Sequence, residues 1–314
     1  MIIKVLIVAS NNSEQPFVME QMAAISAFGV RCEFFGVSGK GLYGYLNNLS
    51  ALREKIALFN PDIIHAHYGL SGLLSNLQRK IPVVTTYHGS DIHSNKIILL
   101  LSKIAMRLSA YNIFVGQRLF DIAKYRGSNY MIQSCGVNMN VIQSMDAIYA
   151  RKQMGLDNDK YYILFAGSFD NPIKNSELAK ESAKKIENCH LIELKGYSNS
   201  EVNLLMNACN LVLITSWRES GPLVVKEAMA CGRPIVTTDV GDAKWIIGET
   251  QGCYVCRFDA NDCAGKIRQA IEFSIKQKKT NGRQRINDIC LDNCKVAQRI
   301  ISVYEFVLSI KRLK

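Results

Sequence analysis

The sequence has no long apolar run. None of its hydrophobic stretches approaches the roughly 20 residues that a membrane-spanning helix needs, and residues 5–9 are too few for the core of a signal peptide. Proline is also scarce: there are 6 prolines in 314 residues, while 48% of the residues are hydrophobic, which excludes a disordered chain. We therefore expect a globular, cytoplasmic protein that is long enough for two domains of ordinary size.

A convincing set of metal ligands is missing as well. The 10 cysteines, in a chain without a secretion signal, are expected to be reduced thiols packed in apolar interiors. Cys253 and Cys256 lie in a predicted strand, where a spacing of three puts the two thiols on opposite faces. His65 and His67 share one face of another strand, but no third ligand stands at a suitable spacing. The sequence therefore predicts no metal site.

The net charge of +11 indicates an anionic partner, such as nucleic acid, a phosphate-bearing ligand or a membrane surface. Proteins that bind nucleic acid more often concentrate their positive charge beside aromatic residues that stack on bases. Here the charge is spread over both halves of the chain, and the densest basic run, residues 276–285, contains no aromatic residue. The sequence therefore argues against nucleic acid as a partner.

Short segments rich in valine and isoleucine alternate with helical patterns along the chain. These strands show no alternation of apolar and polar residues, so both faces are covered, as in a doubly wound parallel sheet. The pattern starts again near Tyr161, which indicates a second α/β domain. The predicted strands are Ile2–Ala9, Arg31–Val37, Asp62–His67, Val83–Tyr87, Asn112–Val115, Tyr162–Ala166, Cys189–Leu194, Leu211–Thr215 and Ile235–Thr237. The predicted helices are Phe17–Phe28, Tyr43–Phe59, Lys96–Ser109, Ser176–Lys185, Ser200–Ala208 and Leu223–Cys231.

The segment from Arg218 to Val236 is the most informative part of the sequence. It is typical of a tight turn followed by a short helix and a strand, with Pro222 suited to the first helical position and Gly232 to the helix exit. Such a turn points the free N–H groups of a helix N-terminus, with their partial positive charge, at the edge of the sheet. The turn is therefore a predicted anion site.

Two acids bracket this predicted anion site. Glu219 lies in the loop before the N–H donors, and Glu227 lies about one turn into the helix. The arrangement suits a ligand with phosphates flanked by hydroxyl-bearing rings, such as a nucleotide-sugar. The alternative is an amphipathic helix whose Lys226 and Glu227 face water.

The spacing of the two acids resembles the E-x7-E signature of the family-4 glycosyltransferases, which are retaining enzymes of the GT-B fold. The resemblance implies an α/β protein with two doubly wound, parallel-sheet, Rossmann-like domains that face a cleft. We expect residues 1–150 to form the acceptor-side domain, residues 151–295 the donor domain, and a helix over about 296–314 to pack back on the first. The other matching pieces, in the family's order, are Asp62–His67 with Gly69, Thr86–Asp91, Cys135–Asn138, Phe165–Gly167 with Lys174 and Asn175, and Val240–Asp242.

The resemblance also implies residue roles. Glu219 and His88 are the expected catalytic residues, Glu219 at the donor sugar and His88 at its reacting face. Glu227 is expected to bind the ribose hydroxyls, and Lys174 the diphosphate. The full set of expected donor-binding residues is Gly167, Lys174, Ser220, Gly221, Pro222, Leu223, Val224 and Glu227. The expected acceptor-side residues are His67, Gly69 and Asp91, with His65 and Tyr68 beside them.

Asp91 has two candidate tasks, which are to orient His88 or to cap the following helix. Ser168 stands where the family usually has an arginine, and Arg218 is a candidate substitute for it.

The implied activity is transfer of a sugar from a UDP- or GDP-sugar to a hydroxyl of a carbohydrate or lipid-linked acceptor, in polysaccharide or glycolipid biosynthesis. No metal or organic cofactor is expected, because the nucleotide-sugar is itself the co-substrate. The predicted helix 96–109 carries apolar residues flanked by Lys96, Lys103 and Arg107. It is either a peripheral membrane surface on the inner face of the cell membrane or an ordinary core helix with solvated ends.

Two other functions stay open. Gly39, Gly41 and Gly44 match the letters of the dinucleotide fingerprint, as a nicotinamide-dependent oxidoreductase requires, although the next strand ends without the acid that holds a ribose. A non-catalytic module that binds a sugar nucleotide would keep Lys174 and Glu227 and turn nothing over.

Overall fold

The computed structural model describes residues 2–11, 16–39 and 41–312 of the chain. The chain forms two compact units, one made of Met1–Gly136 with Asn293–Lys314 and the other of Val137–Asp292. The chain therefore passes from the first unit to the second after Gly136 and returns to the first at Asn293. The sequence had placed these two boundaries after residue 150 and at about residue 296. A cleft between the two units stays a prediction.

The first unit is built on a parallel sheet. Its strands are β1 (Lys4–Ser10), β2 (Arg31–Val37), β3 (Ile63–His67), β4 (Val83–Tyr87), β5 (Tyr111–Phe114) and β6 (Tyr130–Ile132), and its helices are α1 (Pro16–Ser26), α2 (Gly41–Leu46), α3 (Leu49–Phe59), α4 (Gly69–Asn76), α5 (Lys96–Leu108), α6 (Gln117–Ala123) and, from the last part of the chain, α14 (Asn293–Arg312). The strand order is β2-β1-β3-β4-β5-β6, and every pair is parallel. All residues of β3 and β4 are buried, as strands covered on both faces must be.

The predicted helix over Tyr43–Phe59 is wrong in one respect, because the structure has two helices there. The side-chain amide of Asn48 donates to the carbonyl oxygens of Gly44 at 2.6 Å and Ser38 at 2.8 Å. Asparagine competes with helical hydrogen bonds in this way, so the first helix ends and α3 begins at Leu49. Helices α4 and α6 and strand β6 were not predicted.

The second unit repeats the architecture with five strands. Its strands are β7 (Tyr161–Phe165), β8 (Cys189–Glu193), β9 (Leu211–Ile214), β10 (Ile235–Thr238) and β11 (Cys253–Cys256), and its helices are α7 (Ala147–Met154), α8 (Ser176–Ala183), α9 (Asn199–Ala208), α10 (Leu223–Ala230), α11 (Ala243–Ile247), α12 (Ala260–Lys276) and α13 (Gly282–Asp288). The order is β11-β10-β9-β7-β8, again with parallel pairs only. The predicted doubly wound α/β class is confirmed. None of the helices in the described ranges is long and apolar enough to cross a membrane.

The order in which strands are added to the second sheet reverses at β7. The chain passes from β7 to β8 on one side and then returns to β9 on the other side of β7. In open parallel sheets, ligands bind beyond the carboxyl ends of the strands at such a switch point. The loops that follow β7, β8 and β9 are therefore the place to look for a binding site.

The segment after Gly136 is tied to the second unit by side chains, which explains where the units change. The Arg283 guanidinium donates to the carbonyl oxygens of Met139 at 2.7 Å and Ile142 at 3.0 Å. The Asn207 side chain donates to the Gln143 carbonyl at 2.8 Å. These contacts come from residues far along the chain, so the local polarity of residues 139–159 could not reveal them.

Candidate functional site

A lysine and a glutamate form an ion pair at the carboxyl ends of β7 and β9. Lys174 Nζ lies 2.7 Å from Glu219 Oε1, and the Ser216 hydroxyl donates to the same oxygen at 2.7 Å. The lysine and glutamate side chains are 24% and 15% exposed, so the pair is shielded and still reachable from solvent. The structure thus brings together two of the residues that the sequence assigned to the donor.

Buried threonines hold the loops that carry this pair. The Thr215 hydroxyl donates to the carbonyl oxygens of Lys174 at 3.0 Å and Asn175 at 2.9 Å. The Thr238 hydroxyl, at the end of β10, donates to the Ser216 carbonyl at 2.9 Å. Both threonines are fully buried, so losing either hydroxyl would remove a buried hydrogen bond that holds these loops. The ion pair therefore stands on a rigid edge of the sheet.

Gly167 makes room for the lysine. A Cβ atom at this position would lie 2.7 Å from Lys174 Cγ, closer than real side chains approach. The absence of a side chain lets the lysine stem cross the end of β7 on its way to Glu219. Gly167 therefore serves the predicted donor site by leaving space.

Helix α10 begins at Leu223, with Pro222 as its N-cap and not as its first helical residue. Proline has no side-chain acceptor, so the first N–H groups of the helix receive no side-chain cap from it. Glu227 is half-buried one turn into the helix, and Lys226 is fully buried. The alternative in which both side chains face water is therefore wrong for Lys226. Gly232 ends the helix with a φ of +69°, as predicted.

The loop after β10 packs tightly against the turn before α10. Gly241 has a φ of +49°, and a Cβ atom there would lie 2.5 Å from the Ser220 carbonyl oxygen. Backbone packing, which is stiffer than a side-chain contact, therefore sets the position of the turn. The predicted donor-binding residues that are half-buried here are Ser220 and Gly221 in the turn, and Leu223 and Val224 at the start of α10.

In the first unit, three histidine rings stack at the ends of β3 and β4. The ring centroids of His65 and His67 are 4.6 Å apart, and those of His67 and His88 are 5.2 Å apart. His67 Nδ1 and His88 Nε2 share a hydrogen bond of 3.0 Å. Burial lowers the pKa of His67 to about 3 and the pKa of His65 well below its ordinary value. The two buried rings are therefore neutral at pH 7.

His88 is the half-buried ring of this stack. It lies between Tyr68 and Phe17, with ring centroids at 4.7 Å and 4.9 Å, and Cys135 Sγ lies 3.9 Å from its Nδ1. Tyr68 has a φ of +73°, which side-chain-bearing residues rarely adopt and which marks a strained loop. The neighbours fix the ring of His88 and leave part of it open to a ligand.

The other predicted acceptor-side residues are buried around His88, so their contact with an acceptor stays a prediction. His67 is 1% exposed and His65 is fully buried, with its ring bonded to the Tyr304 hydroxyl at 2.6 Å. Gly69 is buried as well, and a Cβ atom there would lie 2.1 Å from Ser102 Oγ. The sequence correctly placed His67 and Gly69 at the end of β3. How deeply they are buried depends on the packing of α4 against α5, which the sequence did not reveal.

Asp91 is buried too, and it ties two loops together. Its carboxylate accepts hydrogen bonds from the N–H groups of Gly89 at 2.8 Å and Gly69 at 3.1 Å. The next helix, α5, is capped by Asn95, so the capping role proposed for Asp91 is wrong. Asp91 instead holds the loop that follows His88, and its role in orienting the ring stays a prediction.

Replacing Asp91 by asparagine is expected to change how stability depends on pH. Burial raises the pKa of Asp91 from 3.8 to about 6, against the lowering effect of its N–H donors. The folded protein thus holds this proton more tightly than the unfolded chain does. The contribution of the Asp91 proton to the free energy of unfolding is therefore complete below pH 3.8 and is lost as the pH rises through 6. The loss amounts to about 3 kcal/mol. The difference in thermal midpoint between the native protein and Asp91→Asn should shrink from pH 4 to pH 7; a constant difference would contradict the assignment.

The glycines of the dinucleotide-like pattern have a structural cause. A Cβ atom on Gly39 would lie 2.9 Å from Gly44 Cα, and one on Gly44 would lie 2.8 Å from the Gly39 carbonyl carbon. The two residues therefore pack backbone to backbone where α2 folds against the end of β2. This close approach accounts for their spacing without a bound dinucleotide.

Two contact residues of the site were not found from the sequence. Ser216 has no motif of its own, although a hydroxyl three positions before Glu219 at a strand end could have drawn notice. Phe17 reaches His88 from α1, and nothing in the local sequence predicts such a long-range contact.

Solved structures resemble the whole chain. A sucrose-phosphate synthase from Thermosynechococcus elongatus has a TM-score of 0.86 at 15% identity, covering 98% of this chain and 100% of that one. HepE from Anabaena, solved in complex with UDP, has a TM-score of 0.74 at 17% identity, covering 96% and 100%. These likenesses and the two parallel-sheet units define a GT-B fold, as the resemblance implied.

Family models identify the sequence more closely. The model described as Glycosyltransferase Family 4 matches residues 3–129, and the model described as Glycosyl transferases group 1 matches residues 138–272. The chain belongs to the family-4 glycosyltransferases. It is 26% identical over 221 residues to the putative teichuronic acid biosynthesis glycosyltransferase TuaC of Bacillus subtilis, a match that covers 61% of this chain and 56% of that relative.

Proposed function

We propose that the protein transfers a sugar from a nucleoside diphosphate sugar to a hydroxyl group of an acceptor, with retention of configuration at the transferred carbon. The family supports sugar transfer. The observation that carries the donor assignment is the Lys174–Glu219 pair, which lies at the switch point of the second sheet. The turn into α10 belongs to the same sheet edge.

The chemistry follows from where negative charge develops. When the bond to the sugar breaks, the departing diphosphate gains charge, and fixed positive groups at that position stabilise the transition state. Lys174 supplies a full charge, and the N–H groups of Gly221, Leu223 and Val224 supply the partial charge of a helix N-terminus. Glu219 binds hydroxyls of the donor sugar, and Glu227 binds the ribose. We propose that no metal or organic cofactor takes part.

The acceptor is assigned to the first unit. His88 is the candidate for contact with the reacting face, because its ring is partly open while its neighbours hold it in place. His67 and Asp91 position it from behind. We propose a carbohydrate or lipid-linked acceptor in polysaccharide or glycolipid biosynthesis, an assignment that the TuaC relative supports by its name.

A panel of UDP- and GDP-sugars tests the donor assignment. At least one of them should raise the thermal midpoint of the protein, and the same one should be hydrolysed slowly without an acceptor. The Glu227→Ala change should abolish the shift, because the ribose loses its partner. An unaltered shift in Glu227→Ala would refute the ribose assignment, and a shift without any turnover would favour a non-catalytic binding module.

We further propose that α5 contacts an anionic membrane. Ile97, Leu100, Ile104 and Leu108 recur at helical spacing, and they are 68%, 60%, 38% and 53% exposed. Lys96, Lys103 and Arg107 run alongside this apolar stripe, and the helix carries no acidic residue. An apolar stripe flanked by cations suits the surface of a bilayer that contains anionic lipid.

Neutralising these three cations to glutamine is expected to weaken vesicle binding roughly 100-fold, since each contributes about 1 kcal/mol near an anionic surface. Sedimentation with vesicles that contain phosphatidylglycerol measures the effect. A variant with Lys184, Lys185 and Lys276 changed to glutamine has the same net charge and should bind like the native protein. A vesicle affinity that depends neither on the content of anionic lipid nor on the salt concentration would contradict the proposal.

A further inference from the structure

A second lysine lies at the switch point, on the side of β7 away from Glu219. Lys195 follows β8, and the preceding Leu194 N–H donates to the carbonyl oxygens of Phe165 and Gly167, both at 3.0 Å. Gly167 is the residue that Lys174 crosses. The end of β7 therefore has one lysine on its β9 side and another on its β8 side.

Lys195 is held by an exposed aspartate. Its Nζ lies 2.6 Å from Asp170 Oδ2, and the Ser168 hydroxyl donates to the other carboxylate oxygen. The lysine and aspartate side chains are 54% and 71% exposed. Ion pairs between groups this exposed contribute little to stability, because water and salt screen them. Another anion can therefore replace Asp170 at little cost in stability.

The charge at the site also calls for a second cation. A diphosphate carries more than one negative charge, whereas the charge of Lys174 is already balanced in part by Glu219. The N–H groups of α10 add partial charge only. Lys195 is a full charge at the same edge of the same sheet, and its flexible stem lets it reach a ligand.

We propose that Lys195 binds the diphosphate of the donor, and that Asp170 is the counter-ion which the diphosphate displaces. The proposal rests on the proposed function. Without a ligand, Asp170 keeps Lys195 and the Ser168 hydroxyl together. With a ligand, phosphate oxygens accept the hydrogen bonds of both groups, and the Asp170 carboxylate turns to solvent.

Titration calorimetry with UDP and GDP tests this exchange, using whichever nucleotide the native protein binds. Lys195→Met should weaken diphosphate binding roughly 10- to 100-fold, as expected for a charge-assisted hydrogen bond. The loss should be smaller for the corresponding monophosphate. Asp170→Asn should tighten diphosphate binding roughly 2- to 5-fold, because it removes a competing anion. Two substitutions within one ion pair thus have opposite expected effects.

Lys276→Met is the matched control, since Lys276 forms an exposed pair with Glu272 on α12. If Lys195→Met binds diphosphate like this control, or if Asp170→Asn weakens binding as Lys195→Met does, the assignment of Lys195 is wrong while the donor assignment stands. A loss seen in Arg218→Met and not in Lys195→Met would give the role to Arg218. A native protein that binds neither diphosphate would refute the proposed function and this assignment together.

Discussion

Replacing Lys174 by methionine is expected to lower kcat/KM for sugar transfer roughly 100- to 1,000-fold, the cost of losing a fixed group that stabilises developing charge. The side chain keeps a similar length but no charge, so the departing diphosphate loses a point charge at the switch point. The change also leaves Glu219 without its cation, 2.7 Å away in the native protein. Steady-state kinetics with the donor that gives a thermal shift measures the effect.

Lys55 offers a control for this experiment. Its Nζ lies 2.6 Å from Glu33, and the two side chains are 34% and 32% exposed, so it too is a half-exposed lysine paired with a glutamate. Lys55→Met should retain near-native activity. Adding Glu219→Gln to Lys174→Met should cost less than Glu219→Gln costs alone, because the two residues act as a unit. Equal activity of Lys174→Met and Lys55→Met would show that Lys174 does not contact the reacting diphosphate.

Replacing Gly241 by alanine is expected to destabilise the second unit by about 3–5 kcal/mol and to abolish donor binding. Two effects combine. A left-handed backbone costs a residue with a side chain about 1–2 kcal/mol, and the new methyl group would lie 2.5 Å from the Ser220 carbonyl oxygen. Because that neighbour is backbone, relief requires moving the turn between Glu219 and α10. Urea unfolding and the nucleotide-sugar thermal shift report the two losses.

Gly155 separates the two effects. It has a φ of +65° at the end of α7, and a Cβ atom there would meet nothing within 4 Å. Gly155→Ala should therefore lower the free energy of unfolding by about 1–2 kcal/mol, the cost of the left-handed backbone alone, and should leave donor binding unchanged. If Gly241→Ala costs no more than Gly155→Ala, the close approach of the two loops does not hold the turn.

The fold could be predicted because its strands are strongly apolar and lie between clear breaks. The bounds of β2 and β4 match the prediction, and the other predicted strands differ by only a residue or two. Helix α4 was missed because its glycine and serine residues give little periodic signal. Those small residues are needed where α4 approaches α5, as Gly69 against Ser102 shows. The small residues that weaken the helical pattern in the sequence are thus the residues that allow α4 to pack against α5.

The candidate site was predictable to the extent that its residues follow strands. Lys174 and Glu219 each come shortly after a buried strand, and parallel strands bring their ends to one edge, so the pair could be expected. The depth of His67, Gly69 and Asp91 could not, since it depends on helices packed from elsewhere in the chain. The pairing of Lys195 with Asp170 was equally hidden, because both are ordinary exposed residues in a basic protein.

The first unit is assembled from the two ends of the chain, and this has a consequence for its biosynthesis. Tyr304 of α14 is fully buried, and its hydroxyl bonds to His65 beneath the histidine stack. A ribosome makes residues 137–292, a continuous unit, before it makes this tyrosine. The second unit can therefore mature while the first still lacks part of its interior, and the histidines reach their final arrangement only after Tyr304 has been made.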